Sequence, residues 1–334
     1  MRVWTWMIKK ITLTVVLWFL TVSITILIIL ATPGNPALML LTGFLQQGIP
    51  YNQAVEMVRA YIGFSPNEPI WVSWLRYVRG VLTGNLGLSI TYRIPVSQLI
   101  AGALPWSIFF TTYSLSLTVA LGVIIGLAMA YYREKALIIR AAMGLLTIFN
   151  SIPNWILAAI LFVYVGARWK LLPYTGAFDP GMSPEANPLG FIFSVLHHYT
   201  LPVITMVITS LPSWAFSMSA MAASVLKEDY VTAAKARGLP SRRIILSYVA
   251  KNSILPIYTQ IAISFAWLLV GTVWIESQFL LPGLGSLLSV TTGSRDYPVI
   301  IGVYVIFITA MILGNLLTDL TYGLIDPRAR VEEE

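Results

Sequence analysis

The chain contains no cysteine, and its only histidines are the adjacent pair His197 and His198. The first absence excludes disulfide frameworks, thiolate metal sites and cysteine nucleophiles together. The second leaves too few imidazoles for a histidine-rich metal cluster. Charge is scarce as well: Asp, Glu, Lys and Arg make up 10% of 334 residues, against 57% hydrophobic residues. That is too little charge to solvate a globular surface, so most apolar side chains must face lipid or one another, and the chain reads as an integral membrane protein. No Gly-x-x-x-x-Gly-Lys-Ser/Thr phosphate loop is present, nor any Gly-Lys dipeptide, so the chain lacks the usual cradle for nucleotide phosphates. Gly-x-Ser-x-Gly and His-Glu-x-x-His are missing too, which argues against an intramembrane enzyme. The net charge of +7 is read as topogenic, because basic residues gather in cytoplasmic loops, and no nucleic-acid partner is expected.

What the sequence does have is long apolar runs. Six are expected to span a bilayer as helices, at roughly 11–31, 106–132, 141–167, 199–225, 254–280 and 297–323. The first is preceded by Arg2, Lys9 and Lys10 like a signal peptide, but its apolar stretch is longer than a signal core, so a retained helix is expected. An even number of spans places both termini on one side. The segments assigned to the cytoplasm carry Arg2, Lys9, Lys10, Arg133, Lys135, Arg140, Lys227, Lys235, Arg237, Arg242, Arg243, Lys251, Arg328 and Arg330. The short outer loops carry only Arg168, Lys170 and Arg295, which puts both termini inside.

The expected fold is therefore an all-α integral membrane protein with six transmembrane helices and a small helical outer subdomain between the first two. Residues 1–31 hold the N-terminal segment and first helix, 32–104 the outer subdomain, 105–325 a five-helix core with the cytoplasmic loop 226–253, and 326–334 a cytoplasmic tail. In the outer subdomain, residues 52–62 and 69–82 show apolar positions at helical spacing, with Asn52 as a plausible N-cap and Pro69 suited to a first turn. It either receives a substrate-delivering partner or packs as a cap on the helix ends.

The polar island 227–256, KEDYVTAAKARGLPSRRIILSYVAKNSILP, lies between two of the apolar runs. From about 229 to 237 it holds strong helix formers with little bulk at Ala233, Ala234 and Ala236, and Gly238 can supply a left-handed cap. Arg237, Arg242 and Arg243 ring the helix end. A short, capped, basic-rimmed helix fits a cleft in a soluble subunit, whereas a merely topogenic loop needs the charge without the Ala-Ala and Gly spacing.

The stretch EDYVTAAKARGL, with Pro256 further on in KNSILP, resembles the cytoplasmic EAA loop of ABC-importer permeases, in the form used by the B-type subunit of the dipeptide and oligopeptide family. Further segments resemble that family in the same order: Gly84–Ile100, Trp274–Leu288, Ser294–Gly302 and Asn315–Arg330. Thr232 stands where the motif's acidic residue would be, with Glu228 and Asp229 one turn earlier; Tyr248 replaces a common His, and Asn85 a common Asp. The resemblance implies a permease subunit, not an enzyme, in the plasma membrane, importing short peptides delivered by an extracytoplasmic binding protein. Oligosaccharides and nickel are alternative cargoes within the family. It further implies a second homologous permease subunit and two ATPase subunits that carry ATP and Mg, with no cofactor in this chain. The residues it assigns to ATPase coupling are Glu228, Asp229, Ala233, Ala234, Arg237, Gly238, Leu239, Arg242 and Arg243.

Polar residues inside the runs are candidates for the substrate path. Asn150, Ser151, Pro153 and Asn154 interrupt the third run and suggest a broken helix, since free backbone groups are not tolerated against lipid. Gln260, Trp267 and Glu276 follow in the fifth. Hydrogen bonding between helices is the competing role for the amides, and anchoring of the loop around Pro282 and Gly283 is the competing role for Glu276. Asp319 and Asp326 are read as partners of Arg328 and Arg330 in a structural clamp. A proton- or ion-coupled secondary transporter, the rival function, would need more mid-membrane carboxylates.

Overall fold

The computed structural model describes residues 3–32, 36–62, 68–132 and 136–325. Arg2, Arg133, Lys135, Asp326, Arg328 and Arg330 therefore lie outside the described residues. Within them the chain is helical, with one isolated antiparallel bridge between Leu88 and Pro95. The helices are α1 (Val3–Ala31), α2 (Pro36–Gln46), α3 (Tyr51–Ile62), α4 (Ile70–Thr83), α5 (Val96–Tyr131), α6 (Ala136–Asn150), α7 (Asn154–Leu161), α8 (Pro188–His198) and α9 (Thr200–Val225). They continue with α10 (Asp229–Ala236), α11 (Ser241–Arg243), α12 (Lys251–Gly271), α13 (Val273–Gln278), α14 (Leu284–Gly293) and α15 (Tyr297–Ile325). π-Helical turns extend α7 over Phe162–Arg168 and join α11 to α12 over Ile244–Ala250.

Four of these helices, α1, α5, α9 and α15, are long and apolar enough to cross a membrane. The pair α6 and α7 makes a fifth if it counts as one span, bent by 92° at residues 151–153. The break follows from Pro153, which has no N–H to donate and takes an extended conformation at φ −58°, ψ 135°. The expected run 254–280 is not one helix. It stops at Gly271, resumes as the short α13 and turns again before α14, because Thr272 and Glu276 are drawn into a polar junction described below.

The chain forms two compact units. The first comprises Met1–Ser107, Leu269–Ser277 and Pro282–Glu334. Here α15 packs along α1, tied by Trp18 Nε1 donating to Thr309 Oγ1 at 2.8 Å and by a Lys10–Asp319 ion pair at 3.2 Å. Asp319 thus pairs with the first helix, while the arginines expected to partner it lie outside the described residues. On the C-terminal half of α1, Val22 and Ile26 share a core with Ala37 and Leu41 of α2, Ala54 and Val58 of α3, and Tyr77 and Val78 of α4. α2 has no counterpart among the helices expected from sequence. α3 begins at Tyr51, with Ala54 N–H bonded to Pro50 O at 2.9 Å, so Asn52 lies inside the helix instead of capping it. α4 begins after Pro69, whose carbonyl accepts from Val72 N–H at 2.9 Å.

The second unit comprises Ile108–Leu268 and Gln278–Leu281. Its centre is α9, against which α6, α7 and α8 pack. Gly122 and Gly126 of α5 let the backbones of α5 and α9 approach closely: a Cβ at 122 would sit 2.5 Å from Trp214 Cβ, and one at 126 would sit 2.6 Å from Met218 Cβ.

Candidate functional site

The loop after α9 folds as a small platform on the second unit. Asp229 lies in the first turn of α10 and Lys235 in the last, each complementing the helix dipole. At the other end Gly238 takes φ +70° and closes the helix with two backbone bonds, Gly238 N–H to Lys235 O at 2.9 Å and Leu239 N–H to Ala234 O at 3.3 Å. This is the double-bonded left-handed stop that glycine adopts without steric cost. A Cβ at Gly238 would meet no neighbouring atom within 4 Å, so its requirement is conformational, not spatial.

The inward face of α10 is set by Val231 and Ala234, one turn apart and both buried. They pack with Ile244 and Val249 of the π-turn, Ile257 of α12, Leu127 and Ala130 of α5 and Ala222 of α9. The small residues therefore divide between two jobs: Ala234 lets α10 settle onto its own chain, whereas Ala233 and Ala236 are exposed and leave the outer face low. Leu239 half-buries against the same core. Glu228, Asp229, Arg237, Arg242 and Arg243 are all exposed around the platform. Tyr230 Oη accepts from Asn252 Nδ2 at 3.0 Å, and that amide also donates to Tyr248 O at 2.8 Å, pinning α10 to the first turn of α12. Displacement of α10 would thus carry the π-turn and α12 with it through apolar packing and this link. Val231, Tyr230 and Asn252 are not among the residues expected from sequence, although the spacing of Val231 and Ala234 signals a buried stripe.

The path candidates do not form one cluster. Asn150 and Ser151 are exposed at the α6–α7 break and Asn154 is half-buried. Asn150 Oδ1 accepts from Ser213 Oγ of α9 at 2.9 Å, and Ser151 Oγ donates back to Thr147 O at 3.0 Å. Asn150 thus ties helices while remaining exposed. On α12 Gln260 is half-buried and Trp267 is exposed, as are Trp71, Trp155 and Trp274 elsewhere in the chain.

Glu276 has a different setting. It is 1% exposed, and its Oε2 accepts from Gly285 N–H at 2.7 Å and Ser107 Oγ at 3.0 Å, while Oε1 accepts from Thr272 Oγ1 at 3.1 Å. Ser107 Oγ in turn accepts from Leu284 N–H at 2.8 Å. The carboxyl group and the hydroxyl together satisfy the first N–H groups of α14, which would otherwise be buried without partners. A Cβ at Gly283 would collide with Glu276 Oε2. This is the geometry of a loop anchor, not of an open wall.

A second carboxylate anchors the stretch between α4 and α5. Asp296 is fully buried, and its Oδ2 accepts from Ser89 Oγ at 2.5 Å and Thr91 N–H at 2.9 Å; Thr91 and Ser294 hydroxyls meet at 2.8 Å. The loop 87–95 is held rigidly, with Leu88, Tyr92 and Arg93 exposed. Neither partner of Asp296 could be paired with it by local spacing.

Residues 122–331 match the family of binding-protein-dependent transport system inner membrane components. The chain is 30% identical over 313 residues to the dipeptide transport system permease protein DppB of Escherichia coli (strain K12), covering 89% of this chain and 90% of that protein. It is 32% identical over 309 residues to the probable peptide ABC transporter permease protein y4tP of Sinorhizobium fredii (strain NBRC 101917 / NGR234), covering 91% and 92%. To the glutathione transport system permease protein GsiC of Salmonella paratyphi A (strain ATCC 9150 / SARB42) it is 31% identical over 278 residues, covering 83% and 85%. The family match takes in α9, the α10 platform and α12 as one continuous stretch, and the chain belongs to the binding-protein-dependent transport system inner membrane components, the permease subunits of ABC importers.

Proposed function

We propose that this chain is one of two permease subunits of an ATP-driven importer of short peptides. The observation that carries the coupling part is α10: a capped helix with a low, exposed outer face, anchored from behind to α12. Two partner ATPase subunits bind ATP and Mg, receive the platform around Glu228, Asp229, Ala233, Arg237, Arg242 and Arg243 in their clefts, and drive alternating access by moving it with the helices behind. The peptide reading is supported by the relatives, whose names are those of dipeptide, peptide and glutathione permeases.

In this reading α12 completes six spans, both termini are cytoplasmic, and residues 32–104 form an outer subdomain that receives an extracytoplasmic binding protein. Its pinned loop at 87–95 offers that protein a stiff surface. The path runs at the interface with the second permease subunit, past Asn150, Ser151 and Asn154 and the α12 face with Gln260 and Trp267.

Reconstitution tests the division of labour. The purified chain alone should hydrolyse no ATP, and labelled dipeptide uptake into vesicles should appear only when the second permease, the ATPase subunits and the loaded binding protein are all present. Robust hydrolysis by a preparation shown to be free of other subunits would contradict it, as would uptake driven by an ion gradient without ATP.

A further inference from the structure

Two helices of residues 32–104 expose opposite chemistry. On α3 the exposed side chains include Asn52, Gln53, Glu56 and Arg59, a face suited to water. On α4, besides Ile70, Arg79 and Thr83, they are Trp71 at 66%, Leu75 at 55% and Leu82 at 64%, large apolar side chains that bury their area wherever a soluble domain allows. At 100° per residue these three fall within a sector of about 40°, so they form one stripe rather than scattered exposures. Arg79 borders the stripe about 40° beyond Leu75, and Arg76, farther round the helix, is paired with Glu68 through Nη2 to Oε1 at 2.6 Å. Ser73, Tyr77 and Val78 are buried, with Val78 at the other edge of the stripe.

What lies against the stripe follows from the helix on which α4 rests. Tyr77 and Val78 share a core with Val22 and Ile26 of α1. Beyond Lys9 and Lys10, α1 carries an 18-residue apolar window with a mean hydropathy of 2.7, only 17% of it buried within the chain, so most of that surface is available to lipid. Ile26 lies about 7 Å along the axis from the end of the helix at Ala31, at the usual 1.5 Å rise. A 29-residue helix exceeds the roughly 30 Å hydrocarbon thickness, which puts this level at the boundary between acyl chains and headgroups. An apolar stripe bordered on one side by Arg79 at that depth matches a helix lying in the membrane surface, with tryptophan at the interface and the guanidinium group toward water and phosphate.

We propose that α4 is an interfacial helix whose Trp71–Leu75–Leu82 stripe is seated in the bilayer leaflet at the C-terminal end of α1. The outer subdomain is then held at a fixed depth on the lipid instead of standing clear of it, with the polar face of α3 turned to water. The inference rests on α1 spanning the bilayer and is independent of the cargo.

The absence of cysteine from the chain makes the test direct. Leu75→Cys, Leu82→Cys, Glu56→Cys on α3 and Leu17→Cys on α1 are each labelled with bimane in the assembled transporter, in phosphatidylcholine and phosphatidylglycerol vesicles. Phosphatidylcholine carrying a doxyl group high on its acyl chain should quench positions 75 and 82 about threefold more than position 56, and iodide should quench them about threefold less. Iodide quenching at 75 and 82 equal to that at 56 would overturn the proposal. Protection from both quenchers would overturn it as well, by showing that a protein partner covers the stripe. Leu17→Cys separates the underlying premise: deep-doxyl quenching there reports that α1 spans, so failure at 17 removes the span, whereas failure at 75 and 82 alone removes only the interfacial seat.

Discussion

The C-terminus of α10 and the N-terminus of α14 solve the same problem, unpaired backbone groups at a helix end, in opposite ways. α10 is closed locally, by two backbone bonds made possible by Gly238, and the result is exposed. α14 is closed from a distance: Ser107, three turns into α5, and Glu276 supply the acceptors, and the junction is buried. A local cap leaves the surrounding surface free for another molecule and costs little if altered. A buried cap built from three chain segments is a fastening whose loss exposes several unsatisfied groups at once. The contrast separates the proposed contact surface from a structural rivet, although both sit in stretches that resemble the same family.

The largest effect is expected at the rivet. Glu276→Ala leaves the buried Gly285 N–H and the Ser107 hydroxyl without their acceptor, Thr272 keeping Leu269 O, and should destabilise the protein by about 3 kcal/mol. Thermal unfolding in detergent measures the loss, and hydrogen exchange should localise it to α13 and α14. An unchanged melting temperature would show that the carboxyl group is not a fastening.

Gly238→Val should cost less, about 1–2 kcal/mol, because the added side chain meets open space and only the left-handed backbone is strained. Membrane insertion and the melting curve should stay close to those of the parent, and a large drop would erase the contrast between the two caps. Smaller again is Tyr230→Phe, which removes one exposed hydrogen bond to Asn252 and should change stability by about 0.5 kcal/mol. Its readout is faster hydrogen exchange in α10 with the rest of the second unit unaffected.

The path assignment has a kinetic test with no stability cost. Single cysteines at positions 150, 154 and 260 should react with a small polar thiol reagent in the assembled transporter, at rates that ATP changes. Slow reaction in every state at all three would assign these amides to helix packing, since a thiolate is disfavoured where water is excluded. The search for the path would then move to the exposed face around Trp267.

Features governed by adjacent residues are legible from residue order alone. The break at Pro153, the stop at Gly238 and the apolar lengths of α1, α5, α9 and α15 follow from local chemistry, and each appears. Features governed by distant partners are not legible in this way. The run 254–280 looks continuous because Gly271 and Thr272 interrupt it only weakly; what ends the helix is a junction whose other members are Ser107 and Gly285. Near neighbours in sequence give no hint that Asp319 pairs with Lys10, which lies on the first helix. The role of Ala234 is half legible: its small size is evident, but whether it admits a partner protein or its own π-turn depends on where Ile244 and Val249 fold. Nothing in the spacing of Ser89 points to Asp296.

The central claim is that α10 transmits force through a glycine-dependent cap, and paired substitutions at one position test it. ATP-driven uptake of a labelled dipeptide should be compared for the complete transporter carrying Gly238→Val or Gly238→Asn, each verified for assembly and melting temperature. Asparagine tolerates the left-handed conformation and valine does not. The account predicts near-parental uptake for Gly238→Asn and a loss of about tenfold or more for Gly238→Val, with ATPase docking weakened or hydrolysis no longer tied to uptake. Equal, near-parental uptake by both variants would contradict it.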